Sequence, residues 1–148
     1  MAQIHAAAGV FPMREKDGKI QILFQKRGNV EFGSGKWSVP GAGGVEVDES
    51  FMAAARREAM EELGIEFDDV NIVFQTILNG KSDFGAFIAM ILFIDSWRGE
   101  LRVCECDKCE CIEWFDIDKL PEDLWLPQTT EFIMNFKNKI HYSEIGWL

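Results

Sequence analysis

The sequence predicts an α/β fold in which a mixed β-sheet lies between helices. Segments with strand-like patterns are interleaved with two helical segments along the chain. The 148 residues, 47% of them apolar and 12% aromatic, are enough to bury a core without disulfide or metal staples. The chain shows no internal repeat, low-complexity tract or linker, so we expect one domain over residues 1–148.

The N-terminal part of the chain predicts a β-hairpin. Residues 4–13 (IHAAAGVFPM) form a strand-like segment, and Asp17-Gly18 is a typical hairpin turn. Residues 20–27 then form the partner strand. The apolar residues expected on one face of this strand are Ile20, Ile22 and Phe24.

The rest of the chain predicts two helices and three more strands. Residues 28–48 are rich in glycine and predict a long loop with short extended pieces, and such loops are usually functional. A helix is expected over 49–63, followed by Gly64 in the position that typically ends a helix. Strands are expected at 69–78, 84–95 and 111–117, and an amphipathic helix at 128–140.

Charge and composition limit the partners. The chain carries 25 acidic against 15 basic residues, a net charge of −10, whereas non-specific nucleic-acid binding requires a basic surface. The longest apolar run, 84–94, is too short to span a membrane. No signal peptide is visible at the N-terminus, and cysteines without one favour a reducing compartment. We therefore expect a cytoplasmic monomer or homodimer that binds neither a nucleic-acid polymer nor a membrane.

The helix at 49–63 has acidic residues on a face that small and apolar residues would bury. At about 100° per residue, Glu58 and Glu62 lie on the same side as Phe51 and Ala55, with Glu61 about 60° away. Like charges four residues apart repel each other, and desolvation increases the cost. A hard divalent cation bound by carboxylate oxygens would offset this charge, and Mg²⁺ typically brings phosphate with it.

Residues 43–65 (GGVEVDESFMAAARREAMEELGI) resemble the Nudix box, G-x5-E-x7-R-E-U-x-E-E-x-G-U, where U is a bulky aliphatic residue. The matching residues are Gly43, Glu49, Arg57, Glu58, Glu61, Glu62, Gly64 and Ile65. Ala59 departs from the pattern because it is small. The resemblance extends, more loosely, over residues 4–138. It implies a Nudix-type α/β/α sandwich with a mixed sheet between helices.

The resemblance also implies roles for the box residues. Glu58, Glu61 and Glu62 would hold Mg²⁺ or Mn²⁺ on the diphosphate of a nucleotide substrate, and Glu58 would also accept the proton of the attacking water. Arg57 would pair with Glu49 and join the loop to the helix.

A backbone carbonyl of the loop usually completes the metal shell in this family. We assign this carbonyl to Gly43. Gly41 and Ala42 remain alternatives, because Pro40 lies three residues before Gly43, whereas in the common form of the motif the proline lies two residues before this glycine.

Further candidates lie outside the box, each with a plainer alternative. Glu113 is predicted to reach the metals or the water, or else to be an outward-facing strand residue. Arg27 and Lys36 are predicted to contact phosphate, or else to be surface bases. Gln128 is predicted to contact the base, unless Gln128 or Thr129 only caps the last helix. Three aromatic residues are candidates for stacking on a base, or else are core residues: Phe32, Trp37 and Trp125.

Two markers of other Nudix branches are missing. ADP-ribose enzymes tend to carry a proline after the box and dinucleoside-polyphosphate enzymes a tyrosine, and the corresponding LNGKSD segment has neither. The resemblance therefore favours the MutT-like nucleoside triphosphate pyrophosphohydrolases, which release a monophosphate and pyrophosphate. The alternatives are hydrolysis of another nucleoside diphosphate derivative, such as a nucleotide sugar, and a non-catalytic nucleotide sensor. The complete set of box acids argues against a sensor.

All four cysteines lie in residues 104–111 (CECDKCEC). Structural zinc sites favour two C-x2-4-C pairs separated by a dozen or more residues. The spacing here is too short for one tetrahedral site on a strand-like backbone, because strand side chains alternate between faces. We expect reduced, half-buried cysteines instead of a zinc site.

Overall fold

The computed structural model of the chain describes residues 1–28, 33–103, 109–125 and 127–147. The described strands are β1 (His5–Lys16), β2 (Lys19–Arg27), β3 (Trp37–Ser38), β4 (Gly41–Gly44), β5 (Ile72–Ser82), β6 (Gly85–Ile94), β7 (Cys109–Asp116) and β8 (Tyr142–Ile145). The described α-helices are α1 (Phe51–Leu63) and α2 (Pro127–Asn138).

The strands form one mixed sheet. Its order is β3-β2-β1-β6-β5-β8, with β4 paired to β1 and β7 paired to β2 outside this path. Strand β1 is antiparallel to β2 and β4 but parallel to β6, and β8 is parallel to β5. Strand β1 pairs with β4 near its beginning and with β2 near its end. The sheet therefore splits at β1 into a part that contains β4 and a part that contains β2.

The helices cover opposite faces of the sheet. Helix α1 packs on β1 and β4, and its buried alanines join a cluster with Val10, Leu23 and Leu92. Helix α2 packs on β5, and Phe132 and Ile133 join the second cluster. The predicted α/β/α sandwich is confirmed. With 13 and 12 residues, both described α-helices are shorter than the roughly 20 apolar residues of a membrane span.

Local signals placed the hairpin and the first helix correctly. Asp17 and Gly18 have φ values of 53° and 76°, as a two-residue hairpin turn requires. Helix α1 begins two residues later than predicted because Ser50 caps it, accepting a 3.0 Å hydrogen bond from the backbone N–H of Ala53. It ends at Gly64, whose φ of 70° is left-handed.

The bounds of several elements differ from the prediction. Residues 69–71 form a 3₁₀ turn, so β5 begins at Ile72, and it continues to Ser82. Helix α2 ends at Asn138, and β8 was not predicted at all. Strand β8 is four residues long and depends on pairing with the distant β5, which no local pattern indicates.

Candidate active site

The three box glutamates on α1 differ in burial. Glu58 is only 7% exposed, Glu62 is half-buried, and the Glu61 side chain is 46% exposed. The fully buried residues beside them are Ala54, Ala55, Ala59 and Leu63. The predicted placement of Glu58 on the buried face is therefore confirmed. The three buried alanines are small and allow α1 to lie close to the sheet.

The carboxylate of Glu58 lies directly against β4. A Cβ added at Gly43 would come within 2.3 Å of Glu58 Oε1 and 2.8 Å of Oε2. Any side chain at position 43 would therefore displace this carboxylate. The glycine is required by space and not by backbone conformation, because Gly43 has no left-handed φ.

Arg57 connects the helix to the preceding loop, as predicted. Its Nε and Nη2 donate to the two carboxylate oxygens of Glu49 at 2.8 and 2.9 Å, and Nη2 also donates to the Gly44 carbonyl at 2.9 Å. Its Nη1 donates to Glu58 at 2.8 Å and to Glu61 at 3.3 Å. The hydrogen bonds from Arg57 lower the pKa of Glu49 to about 2, and Glu49 in turn raises the pKa of Arg57.

The pairing of β4 with β1 bears on which loop carbonyl is available to a metal. Val45 donates to the Ala6 carbonyl at 2.9 Å, and two residues along the ladder Gly43 is opposite Ala8. Hydrogen-bonded pairs alternate in an antiparallel ladder, so the carbonyl of Gly43 is directed at Ala8. The carbonyl of Ala42 leaves the other edge of β4. This pairing favours Ala42 over our first assignment, Gly43.

The donor set suits a hard divalent cation, although the carboxylates are not gathered around one point. Within the residues that the structure describes, no three His, Cys, Asp or Glu side chains converge as a metal site. Glu58 and Glu61 instead share Arg57. Three carboxylates within two helical turns supply the oxygen ligands that Mg²⁺ and Mn²⁺ prefer. In this structure the charges of Glu58 and Glu61 are offset in part by the Arg57 guanidinium.

A cavity of about 360 Å³ opens beside Gly43. Its walls come from β1, β2, β3, β4, β6 and α2, and they are mostly apolar. Apolar lining residues include Ala7, Val39, Phe87, Ala89, Ile91 and Phe132. Polar lining residues include Gln25, Arg27, Ser38, Gln128 and Thr129. A mainly apolar cavity with a few polar groups is the usual form of a small-molecule site.

Two of the three predicted substrate residues line this cavity. The Arg27 guanidinium stacks on Trp125, 3.7 Å from the ring centroid. Burial lowers the pKa of Arg27, an effect that the negative charge of Glu62 opposes. Arg27 is thus electrostatically coupled to α1 while it lines the cavity. Gln128 lines the cavity from the first turn of α2, whereas Lys36 is exposed and outside the lining described, as expected for a surface base.

Of the other candidate residues near the cavity, some line it and others do not. Thr129 lines the cavity, and its hydroxyl donates to the Trp125 carbonyl at 2.7 Å. Trp37 packs edge-on against Phe115, with ring centroids 5.0 Å apart, so it is a core residue. The stacking prediction for Phe32 falls outside the described residues.

Glu113 does not join the box glutamates. It is exposed on β7 opposite Phe24, and cross-strand partners share a face of the sheet. Phe24 belongs to the core under α2, so the Glu113 side chain leaves the sheet on the face opposite α1. The register supports the plainer alternative, an outward-facing strand residue.

The sequence reasoning missed two cavity residues, Gln25 and Ser38. They are cross-strand neighbours in β2 and β3, and they are only 6% and 5% exposed. The sequence signal for Gln25 was its position as a polar residue directly after the apolar run 22–24, in a strand that is buried on both faces. The cysteine prediction falls mostly outside the described residues, and Cys111, which is described, is half-buried in β7.

Comparison with known proteins gives consistent matches. The NUDIX domain family model matches residues 3–136. The oxidized purine nucleoside triphosphate hydrolase of Danio rerio is 35% identical over 139 residues, covering 84% of this chain and 81% of the relative. A MutT NUDIX hydrolase structure from Burkholderia pseudomallei is 28% identical with a TM-score of 0.72, covering 90% of this chain and 98% of that one.

A more distant match shows the fold alone. The Ap4A hydrolase of C. elegans has a TM-score of 0.69 at 15% identity, covering 93% of this chain and 98% of that one. Proteins of this shape therefore include enzymes named for other substrates, and the substrate has to be argued from the site.

Proposed function

Because the chain belongs to the NUDIX domain family, we propose that it is a Mg²⁺- or Mn²⁺-dependent pyrophosphohydrolase of nucleoside triphosphates, ordinary or oxidised. Its products would be a nucleoside monophosphate and pyrophosphate. The observation that carries this proposal is the nearly buried Glu58 carboxylate, which lies against Gly43, a glycine that lines a mainly apolar cavity. The name of the Danio rerio relative supports a triphosphate substrate.

The residues that would hold the cation are Glu58, Glu61 and Glu62, with the carbonyl of Ala42. When bound, the cation offsets phosphate charge and makes the phosphorus more electrophilic. Glu58 accepts the proton of the attacking water. Its position depends on Arg57, which donates to it at 2.8 Å while being fixed by Glu49.

The substrate contacts follow from the walls of the cavity. Arg27 lines the cavity and interacts electrostatically with Glu62 on α1. Its guanidinium therefore donates hydrogen bonds to phosphate oxygens that lie between the cavity and α1. The apolar walls take the nucleobase, and Gln128 hydrogen-bonds to its edge. The reaction needs no partner other than the nucleotide and the ion, and we propose that it takes place in the cytoplasm.

The test is a panel of ordinary and oxidised nucleoside triphosphates, ADP-ribose, a dinucleoside polyphosphate and a nucleotide sugar, each with and without Mg²⁺. We expect Mg²⁺-dependent release of pyrophosphate from at least one triphosphate. Activity on ADP-ribose or a nucleotide sugar alone would overturn the substrate class. Nucleotide binding without turnover would indicate a sensor instead.

A further inference from the structure

Gln25 is a buried amide whose hydrogen-bonding capacity is largely unused. Its side chain lines the cavity and is 6% exposed. Its one hydrogen bond to a described side chain is a long contact of 3.5 Å from Nε2 to Ser38 Oγ. An amide offers two donors and two acceptors, so either orientation of the group leaves one polar atom without a protein partner among the described residues.

Ser38 is in the same situation. It is 5% exposed, lines the same cavity and lies opposite Gln25 in the β2–β3 pairing. Its hydroxyl accepts the long bond from Gln25 and can still donate a hydrogen bond. Buried polar groups are normally satisfied, and leaving them unsatisfied costs free energy of folding. Two such groups side by side in a cavity wall indicate that a ligand completes their hydrogen bonds.

The charge of the lining limits the kind of ligand group. Among the described residues that line the cavity none is acidic, and the one permanently charged group, Arg27, stacks on Trp125 and is coupled to Glu62. The part of the ligand that meets Gln25 is therefore recognised by neutral groups. A side-chain amide matches a planar edge with one donor and one acceptor side by side, as it does for adenine in DNA recognition.

We propose that Gln25, with Ser38 beside it, is a specificity-determining residue that hydrogen-bonds to a nucleobase edge carrying an adjacent donor and acceptor. This inference rests on the proposed function, because it takes the nucleobase as the occupant of the cavity. It adds a second amide to the one predicted from the sequence, Gln128, on another wall of the cavity.

The test compares Gln25→Met with the wild-type protein on a panel of triphosphates that differ only in the base. Methionine keeps the shape and removes the hydrogen bonds. We expect kcat/KM to fall about tenfold on the best substrate and less on the others, so that the preference among bases shrinks. The melting temperature should stay the same or rise, because a poorly satisfied buried amide is removed. Gln75→Met, at an exposed position of β5 outside the cavity lining, is the matched control.

The outcomes separate this inference from the proposed function. An unchanged preference among bases, whether all substrates lose equally or none loses, overturns the role of Gln25 while the triphosphate activity stands. A fall in melting temperature with equal losses would show that Gln25 is structural. A wild-type protein that hydrolyses no triphosphate overturns the proposed function and this inference together.

Discussion

At position 58 a carboxylate is nearly buried, lies against a glycine and shares Arg57 with three other acids, Glu46, Glu49 and Glu61. Arg57 holds Glu49 through two hydrogen bonds and Glu58 through a third, so one side chain fixes both the loop and the Glu58 carboxylate on α1. This explains how several acids coexist on one helix of a protein with a net charge of −10.

Removing single charges from α1 should abolish turnover without unfolding the protein. We expect Glu58→Gln and Glu62→Gln each to lower kcat about 100-fold or more, because each removes an oxygen charge that the cation or the water requires. Steady-state kinetics and circular dichroism would measure this. Glu113→Gln is the matched control on the opposite face of the sheet and should leave kcat near wild type. Near wild-type kcat in Glu58→Gln at saturating Mg²⁺ would contradict the assignment.

Glu49 should make stability depend on pH in the acid range. Its pKa falls from 4.5 to about 2 on folding, mainly through the hydrogen bonds from Arg57, so its contribution is complete above pH 4.5. As the pH falls through 2 the folded state also takes up the proton and the contribution disappears. The denaturation midpoints of the wild type and Glu49→Gln should therefore differ at pH 6 and converge towards pH 2. A difference independent of pH would contradict this.

Helix α1 lies close to β4. A Cβ added at Gly41 would be 3.5 Å from the Ala59 Cα and 3.3 Å from Leu63 Cδ1. Ala59 is completely buried at this contact. The small residue that departs from the Nudix pattern is thus matched to the local spacing between helix and strand.

A bulky aliphatic residue at position 59 should therefore destabilise the fold even though the family prefers one. We expect Ala59→Leu to lower the free energy of unfolding by about 1–3 kcal/mol, because the added methyl groups force α1 away from β4. Urea denaturation would measure this. Met60→Leu, at a position 41% exposed on the same helix, should change it little. A stabilised Ala59→Leu would show that the contact has spare room.

The sequence predicted those elements whose signals are local. The turn at Asp17-Gly18, the cap at Ser50 and the end at Gly64 depend on a few neighbouring residues. Strand β5 was predicted to end before Asn79-Gly80, but Gly80 lies against the ring of Phe87 and continues the strand. That contact depends on the partner strand, which a local pattern does not contain.

The candidate site was predictable to the same extent. The box glutamates could be placed because helical periodicity gives their face, and Arg27 and Gln128 were found as candidates. Gln25 and Ser38 were not predicted, because the cavity that they line is formed by long-range strand pairing. Strand β1 pairs with β4 over one part of its length and with β2 over another. For Glu113 the sequence left two alternatives open, because only the register of β7 on β2 decides its face.

At the scale of the whole molecule, an acidic protein is proposed to act on an anionic substrate. A net charge of −10 repels a triphosphate, so we propose that hydrolysis depends on a divalent cation at α1 and on Arg27 in the cavity. The fold brings these together because Gly43, which lines the cavity, lies against the Glu58 carboxylate. We propose that this arrangement splits a triphosphate into a monophosphate and pyrophosphate.

The most direct measurement is ³¹P NMR of the best nucleoside triphosphate incubated with the protein and Mg²⁺. We expect equal amounts of nucleoside monophosphate and pyrophosphate, no nucleoside diphosphate, and no reaction when Mg²⁺ is chelated or Glu58→Gln replaces the wild type. Orthophosphate with nucleoside diphosphate as the products, or product formation that persists in the chelator, would contradict it.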